Sequence, residues 1–217
     1  MNTIRVRQTP SGRAAGQRGI ALFFALIAIV ALSLAAVALV RSVDTSTLIA
    51  SNLSFRQSST NAGDSGVDTA VAWMTTTQAA NNALNILTDA THPFNVTDLA
   101  TNPGYHSNAD SALDLFADTT WNDSDNNNTL VGTDAASGNT VRYVIQRMCR
   151  NANQVPSIDH CLFSAAVQNK NGQSVPLPQE VCTGTGCPVA GQAPQFRITV
   201  RTQGPRNAVS YVQVFVY

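Results

Sequence analysis

The chain has 217 residues, a formal net charge of zero and only 12% charged residues. That balance offers no electrostatic footprint for nucleic acid or an anionic lipid surface as partner. Serine, threonine, asparagine and glutamine are abundant instead, a neutral polar composition that suits an exported protein.

Residues 1–19 are basic: Arg5, Arg7, Arg13 and Arg18 precede any acidic residue, and the first carboxylate is Asp44. From Ile20 to Val40 follow 21 residues without a charge, interrupted by one hydroxyl at Ser33. As a helix this run is ~31 Å long, enough to cross a bilayer core. The positive-inside rule keeps residues 1–19 in the cytoplasm and sends residues from about 41 to 217 outward. Ala36-Val37-Ala38 also matches the small-residue pattern of a signal-peptide cleavage site, which would release a secreted protein.

Beyond Arg41 the pattern becomes amphipathic. Val43, Ala50, Leu53, Val67, Ala70, Val71 and Met74 recur at helical steps, predicting a helix that continues to about residue 80. Its intrinsic propensity is poor, because Ser and Thr crowd residues 42–60 and Gly63 and Gly66 each cost about 1 kcal/mol relative to Ala. Packing must supply the difference, and Trp73 and Met74 read as core residues.

Residues 81–140 are rich in turn formers. Ala83 to Leu87 predicts a brief helix, and Asp110 a cap for another through Leu113 and Phe116. Asp123, Asp125, Asn127, Thr129 and Asp134 are spaced like the ligands of a calcium loop. Asn128 stands where that loop turns on glycine, and Asp134 is shorter than the usual Glu, so a solvated Asn-rich loop is the simpler reading.

In residues 141–217, Val141, Tyr143 and Ile145 alternate with Arg142 and Gln146, predicting a half-buried strand that ends at Met148-Cys149. A second strand is expected over Cys161 to Val167. Phe196, Ile198 and Val200 alternate with Arg197, Thr199 and Arg201, and Gly204-Pro205-Arg206-Asn207 turns the chain into Val209 to Tyr217, a terminal hairpin. Its last strand is apolar or aromatic on both faces. One face can cover the helix; the other needs a partner.

The four cysteines, Cys149, Cys161, Cys182 and Cys187, lie on the outward, oxidising side, where an even number reads as two disulfides. Sequential pairing, Cys149 with Cys161 and Cys182 with Cys187, competes with crossed pairing and with a zinc site that His160 could join. The spacing lacks the two short knuckles of a zinc ribbon. No nucleophile elbow, phosphate loop, zinc-protease helix or dinucleotide fingerprint is present, and His92, His106 and His160 stand in loop-like contexts. The reading therefore carries no catalytic residues, no metal and no cofactor, with a signal-anchored periplasmic binding protein or enzyme as the alternative.

The basic leader ending in Gly19, followed by an apolar run that passes into a long polar helix, resembles type IV prepilins. Three stretches are similar to the PilX family of minor pilins: GQRGIALFFALIAIVALSLAAVALVRS at the front, SNLSFRQSSTNAGDSGVD in the helix and RITVRTQGPRNAVSYVQVFVY at the end. The resemblance implies a prepilin leader over 1–19, a transmembrane and filament-core helix half over 20–40 and an amphipathic half over 41–80. A globular head over 81–217 would follow, with a variable region at 81–140 and a sheet at 141–217. The fold would be α+β, a long N-terminal helix packed on an antiparallel sheet. Prepilin peptidase would cut between Gly19 and Ile20. The implied setting is the bacterial inner membrane, single-pass with a periplasmic head, and then the cell-surface pilus. Implied partners are other minor pilins, the major pilin, a tip adhesin and the inner-membrane assembly machinery. Pilins that polymerise in bulk usually carry Glu at the fifth mature position, where this chain has Phe24. Either the subunit sits at a filament tip with no neighbour above it, or the family tolerates an apolar residue there.

Overall fold

The computed structural model describes residues 18–122, 124–165, 184–188 and 191–217. Its described elements are one α-helix, α1 (Arg18–Ala80), three short 3-10 helices (Pro93–Asn95, Asp118–Trp121 and Pro205–Asn207), and five strands: β1 (Tyr105–His106), β2 (Thr129–Thr133), β3 (Thr140–Arg147), β4 (Phe196–Gln203) and β5 (Val209–Val216). The fold is α+β. The chain forms two compact units, Met1–Ser51 and Asn52–Tyr217. The described part of the first is the apolar half of α1; in the second, the rest of α1 packs on the sheet.

The hydroxyls that make α1 look like a poor helix are satisfied within it. Thr60, Thr69, Thr75 and Thr76 each donate to the carbonyl four residues back, at 2.8–3.0 Å. These bonds satisfy the hydroxyls without breaking the helix. The buried face of α1 in the head is made of small residues: Ser59, Gly63, Gly66 and Ala70. Leu53 and Val71, which periodicity places on the packed face, are instead 64% and 39% exposed. A Cβ at Gly66 would fall 2.5 Å from Val200 Cγ1 and 2.8 Å from Val141 Cγ1, and one at Gly63 2.8 Å from Val212 Cγ2. The helix thus lies directly on the valines of β3, β4 and β5, a distance only glycine permits. A polar contact completes the seat: Asn139 donates from Nδ2 to Ser58 Oγ at 2.9 Å, and the buried Ser59 donates to Asn139 Oδ1.

The sheet is mixed, where an antiparallel one was expected. β4 lies between β3 and β5, antiparallel to both, with unbroken registers from Thr140↔Gln203 to Arg147↔Phe196 and from Phe196↔Val216 to Gln203↔Val209. The outer side of β3 is shared: β2 pairs antiparallel with its first half and β1 parallel with its second. Both of these strands come from residues 81–140, so that region extends the sheet. The hairpin turn holds Arg206 and Asn207 at φ of 56° and 57°, and Arg206 lies 5.4 Å over the Phe55 ring.

Between helix and sheet sits an aromatic cluster in which Phe94 lies 6.0 Å from Trp73, 5.6 Å from Tyr105 and 5.3 Å from Phe196. The brief helices expected at 83–87 and after Asp110 are turns. The Leu87 N–H, which a helix over 83–87 would direct to Ala83 O, donates to Asn85 Oδ1, and Asp110 and Asp114 likewise accept from the backbone N–H two residues on. Short polar side chains here compete successfully with helical hydrogen bonding.

Candidate functional site

The surface the fold leaves unused is the apolar half of α1. Ile20, Phe24, Leu32 and Leu39 are 61%, 64%, 70% and 67% exposed, and no residue from Ile20 to Ala50 is buried. The helix is apolar around its whole circumference, the mark of a segment surrounded by lipid or by other helices. The one hydroxyl in the run, Ser33, donates to Ile29 O at 2.8 Å and so carries no unmet hydrogen bond into a dry environment. Gly19 and Ile20 lie in the first turn of α1, and Phe24 meets Phe23 edge to face at 6.4 Å. The segment is long and apolar enough to span a membrane, as an anchor or a signal sequence.

Cys149 and Cys161 form a disulfide. Around it Arg150 N–H donates to His160 O and Leu162 N–H to Met148 O, both at 2.8 Å, so the chain after the bridge lies against the end of β3. The expected strand from Cys161 is reduced to two isolated bridges, Cys149↔Cys161 and Phe163↔Pro194, and residues 166–167 lie outside the described residues. Cys187 is also disulfide-bonded, and Cys182 lies outside the described residues. The bonded sulfurs are not available as the thiolates that zinc requires. Among the described residues, no three His, Cys, Asp or Glu side chains cluster as a metal site.

Of the calcium-loop positions, Asp123 lies outside the described residues. Asn128 is buried and holds the loop to the protein: its Nδ2 donates to the carbonyls of Thr120 and Asn122, and its Oδ1 accepts from Arg142. Asp134 is engaged by Ser137 Oγ at 2.6 Å and by the Ala136 N–H, in the turn between β2 and β3. Asn128 and Asp134 thus serve as fasteners of the loop.

The head contains a buried cation that the alternation argument passed over. Arg147 is fully buried, and its guanidinium donates to Ser107 O at 2.9 Å, to Gln154 O at 2.6 Å and to Asn95 Oδ1. All three acceptors are neutral. Burial lowers the pKa of Arg147, although a guanidinium remains charged. Thr97 N–H donates to Asn153 Oδ1 and Asn153 N–H to Ser107 Oγ, so one arginine and its neighbours join three separate loops. A signal was present: Arg147 is in phase with Val141, Tyr143 and Ile145, hence on the inward face of β3.

Beside this hub His92 is fully buried, its Nδ1 accepting from Phe94 N–H at 3.1 Å while Nε2 has no partner among the described residues. Burial, first, and the Arg147 charge hold its pKa below the ordinary value, against the pull of Asp89. Burial does the same at His106. Both groups are depressed in the folded state, so the unfolded chain binds protons first. Stability is therefore full above the unfolded histidine pKa of about 6.5 and declines as pH falls through it, by at most about 1.4 kcal/mol per pH unit for each group. Urea midpoints measured from pH 7.5 to 5 should fall, and His92→Asn, which keeps an acceptor for Phe94 N–H, should flatten the decline. An unchanged pH profile in that variant would place the proton uptake elsewhere.

Comparisons with protein-family models, with curated proteins and with solved structures find no match for this chain.

Proposed function

We propose that this chain is a minor pilin of a type IV pilus, similar to PilX subunits, required for pilus assembly and positioned to display an adhesin at the tip. The observation that carries the reading is a single helix whose first half is apolar on every side and whose second half seats a mixed sheet. As an inner-membrane anchor, Ile20–Val40 would hold the head in the periplasm. On assembly it would exchange lipid for neighbouring helices, and because both surroundings are dry and apolar the exchange costs little solvation energy. Gly19 and Ile20 would flank the peptidase cut, with the four arginines of the leader holding residues 1–19 on the cytoplasmic side. Phe24 brings no carboxylate into the apolar core, so the subunit needs no partner amine above it, which suits a tip position.

Two measurements test the proposal together. The mature protein should begin at Ile20, and Gly19→Val should leave the leader attached. Deleting the gene should lower the number of surface pili while the major pilin persists in the membrane. A start at Leu39 would mean an ordinary secreted protein and a start at Met1 a simple anchor. Normal piliation after deletion would turn the reading toward an anchored periplasmic binding protein or enzyme.

A further inference from the structure

Strand β5 borders the sheet, and among the described residues no strand runs along its outer side. Edges of this kind are ordinarily blunted by charge, proline, bulges or shortness. The opposite border shows such treatment: β3 is covered by a two-residue strand and by a five-residue strand with a register shift between Leu130 and Gly132. β5 has none of it. Its eight residues, VSYVQVFV, include no charge, proline or glycine, and its register with β4 runs through eight pairs without a bulge.

Both faces of the strand offer apolar contacts beside that edge. Tyr211 packs on Phe116 and Trp121, at 5.5 and 6.1 Å, while Phe116 is 80% and Phe215 52% exposed. On the helix side, Val216 and Tyr217 join Val71, Met74 and Phe196 in lining an apolar groove of about 600 Å³ at the C-terminal end of β5.

We propose that the outer edge of β5 is a docking site for an extended strand of a different polypeptide, uncharged and with large apolar side chains at alternate positions. A row of outward N–H and C=O groups is saturated in register only by another strand, and alternate side chains of that strand then fall on the two apolar faces. A second copy fits less well. Full antiparallel self-pairing sets Val209 opposite Val216, which brings no large side chain to the groove. The contact of one strand pair, ~27 Å long, also falls short of the ~1,200–2,000 Å² that holds independent proteins together. A partner strand that fills the groove adds the missing contact. The proposal rests on the head alone and stands apart from the assignment to a pilus.

The test is amide hydrogen exchange on the full chain in detergent micelles. The probe is a synthetic nine-residue peptide alternating valine and threonine, with phenylalanine at one end. In the chain alone, the β5 amides directed away from β4 should exchange rapidly. Saturating probe should slow them about tenfold or more while β3 and β4 amides stay unchanged, and a probe N-methylated along its pairing edge should do nothing. Three results would each overturn the proposal. Protection of the outer β5 amides in the chain alone, at every concentration, would mean that this chain covers its own edge. Protection that grows with protein concentration without probe would identify a second copy as the occupant. Absence of any probe effect would mean that the edge does not accept a strand.

Discussion

Replacing Arg147 with methionine should lower the stability of the head by about 3–5 kcal/mol. Methionine preserves much of the aliphatic stem but removes every donor from a site with no exposure to water, leaving Ser107 O, Gln154 O and Asn95 Oδ1 without the guanidinium. A buried acceptor that loses its partner costs about 1–3 kcal/mol, and three act together here. The relief of burying one charge fewer offsets part of that. Arg147→Lys should recover only a fraction, because one ammonium cannot reach three acceptors set around a planar fork. The measurement is urea unfolding of the full chain in detergent, followed by fluorescence of Trp73, which packs in the aromatic cluster, and of Trp121. A loss below about 1 kcal/mol for the methionine variant would show that the guanidinium is dispensable and that the three loops are held by their other contacts.

The parts of this fold governed by local pattern are legible in the residues. The apolar run, the end of α1 at Ala80, the alternation of β3 and β4 and the hairpin into β5 follow from periods of 3.6 and 2 and from the Gly204 to Asn207 turn. Cysteine count and compartment point to disulfides but not to their pairing, and the Cys149–Cys161 bond decides between alternatives that the residues leave open. Features set by distant partners are not legible in this way. β1 is two residues long and exists only because Tyr105 and His106 meet Ile145 and Gln146, some forty positions later. β2 hides in an Asn-rich stretch because its pattern is broken between Leu130 and Gly132. The helix expected at 83–87 gives way to turns for a local reason that apolar periodicity does not register: Asn85 Oδ1 takes the Leu87 N–H that the helix would direct to Ala83 O. Arg147 was legible by phase, but a charged residue at a strand end reads naturally as the start of solvent exposure.

Gly66→Val should be the most damaging single change on α1, costing the head about 3 kcal/mol or more, with Gly66→Ala about 1–2 kcal/mol. Helix propensity predicts the opposite sign for alanine, a gain of about 1 kcal/mol, so the two contributions can be separated by direction alone. The deciding fact is what a side chain would meet. The nearest atoms are Cγ methyls of Val200 and Val141, at 2.5 and 2.8 Å, on side chains 0% and 6% exposed. Valine has one χ angle and restricted rotamers, so these methyls cannot swing away as the tip of a lysine could. Relief must come from lifting the helix off the sheet, which loosens the contacts of Ala70 and of the aromatic cluster around Phe94 at the same time. Gly63→Ala provides the internal comparison. There the close contact is one methyl, Val212 Cγ2, on the border strand and only partly buried, so the sheet can yield and the cost should be smaller than at Gly66. Unfolding midpoints that rise with Gly66→Ala would mean that the helix does not rest on these valines. The ordering Gly66→Val, Gly66→Ala, Gly63→Ala from most to least damaging is what close seating on the centre of the sheet requires.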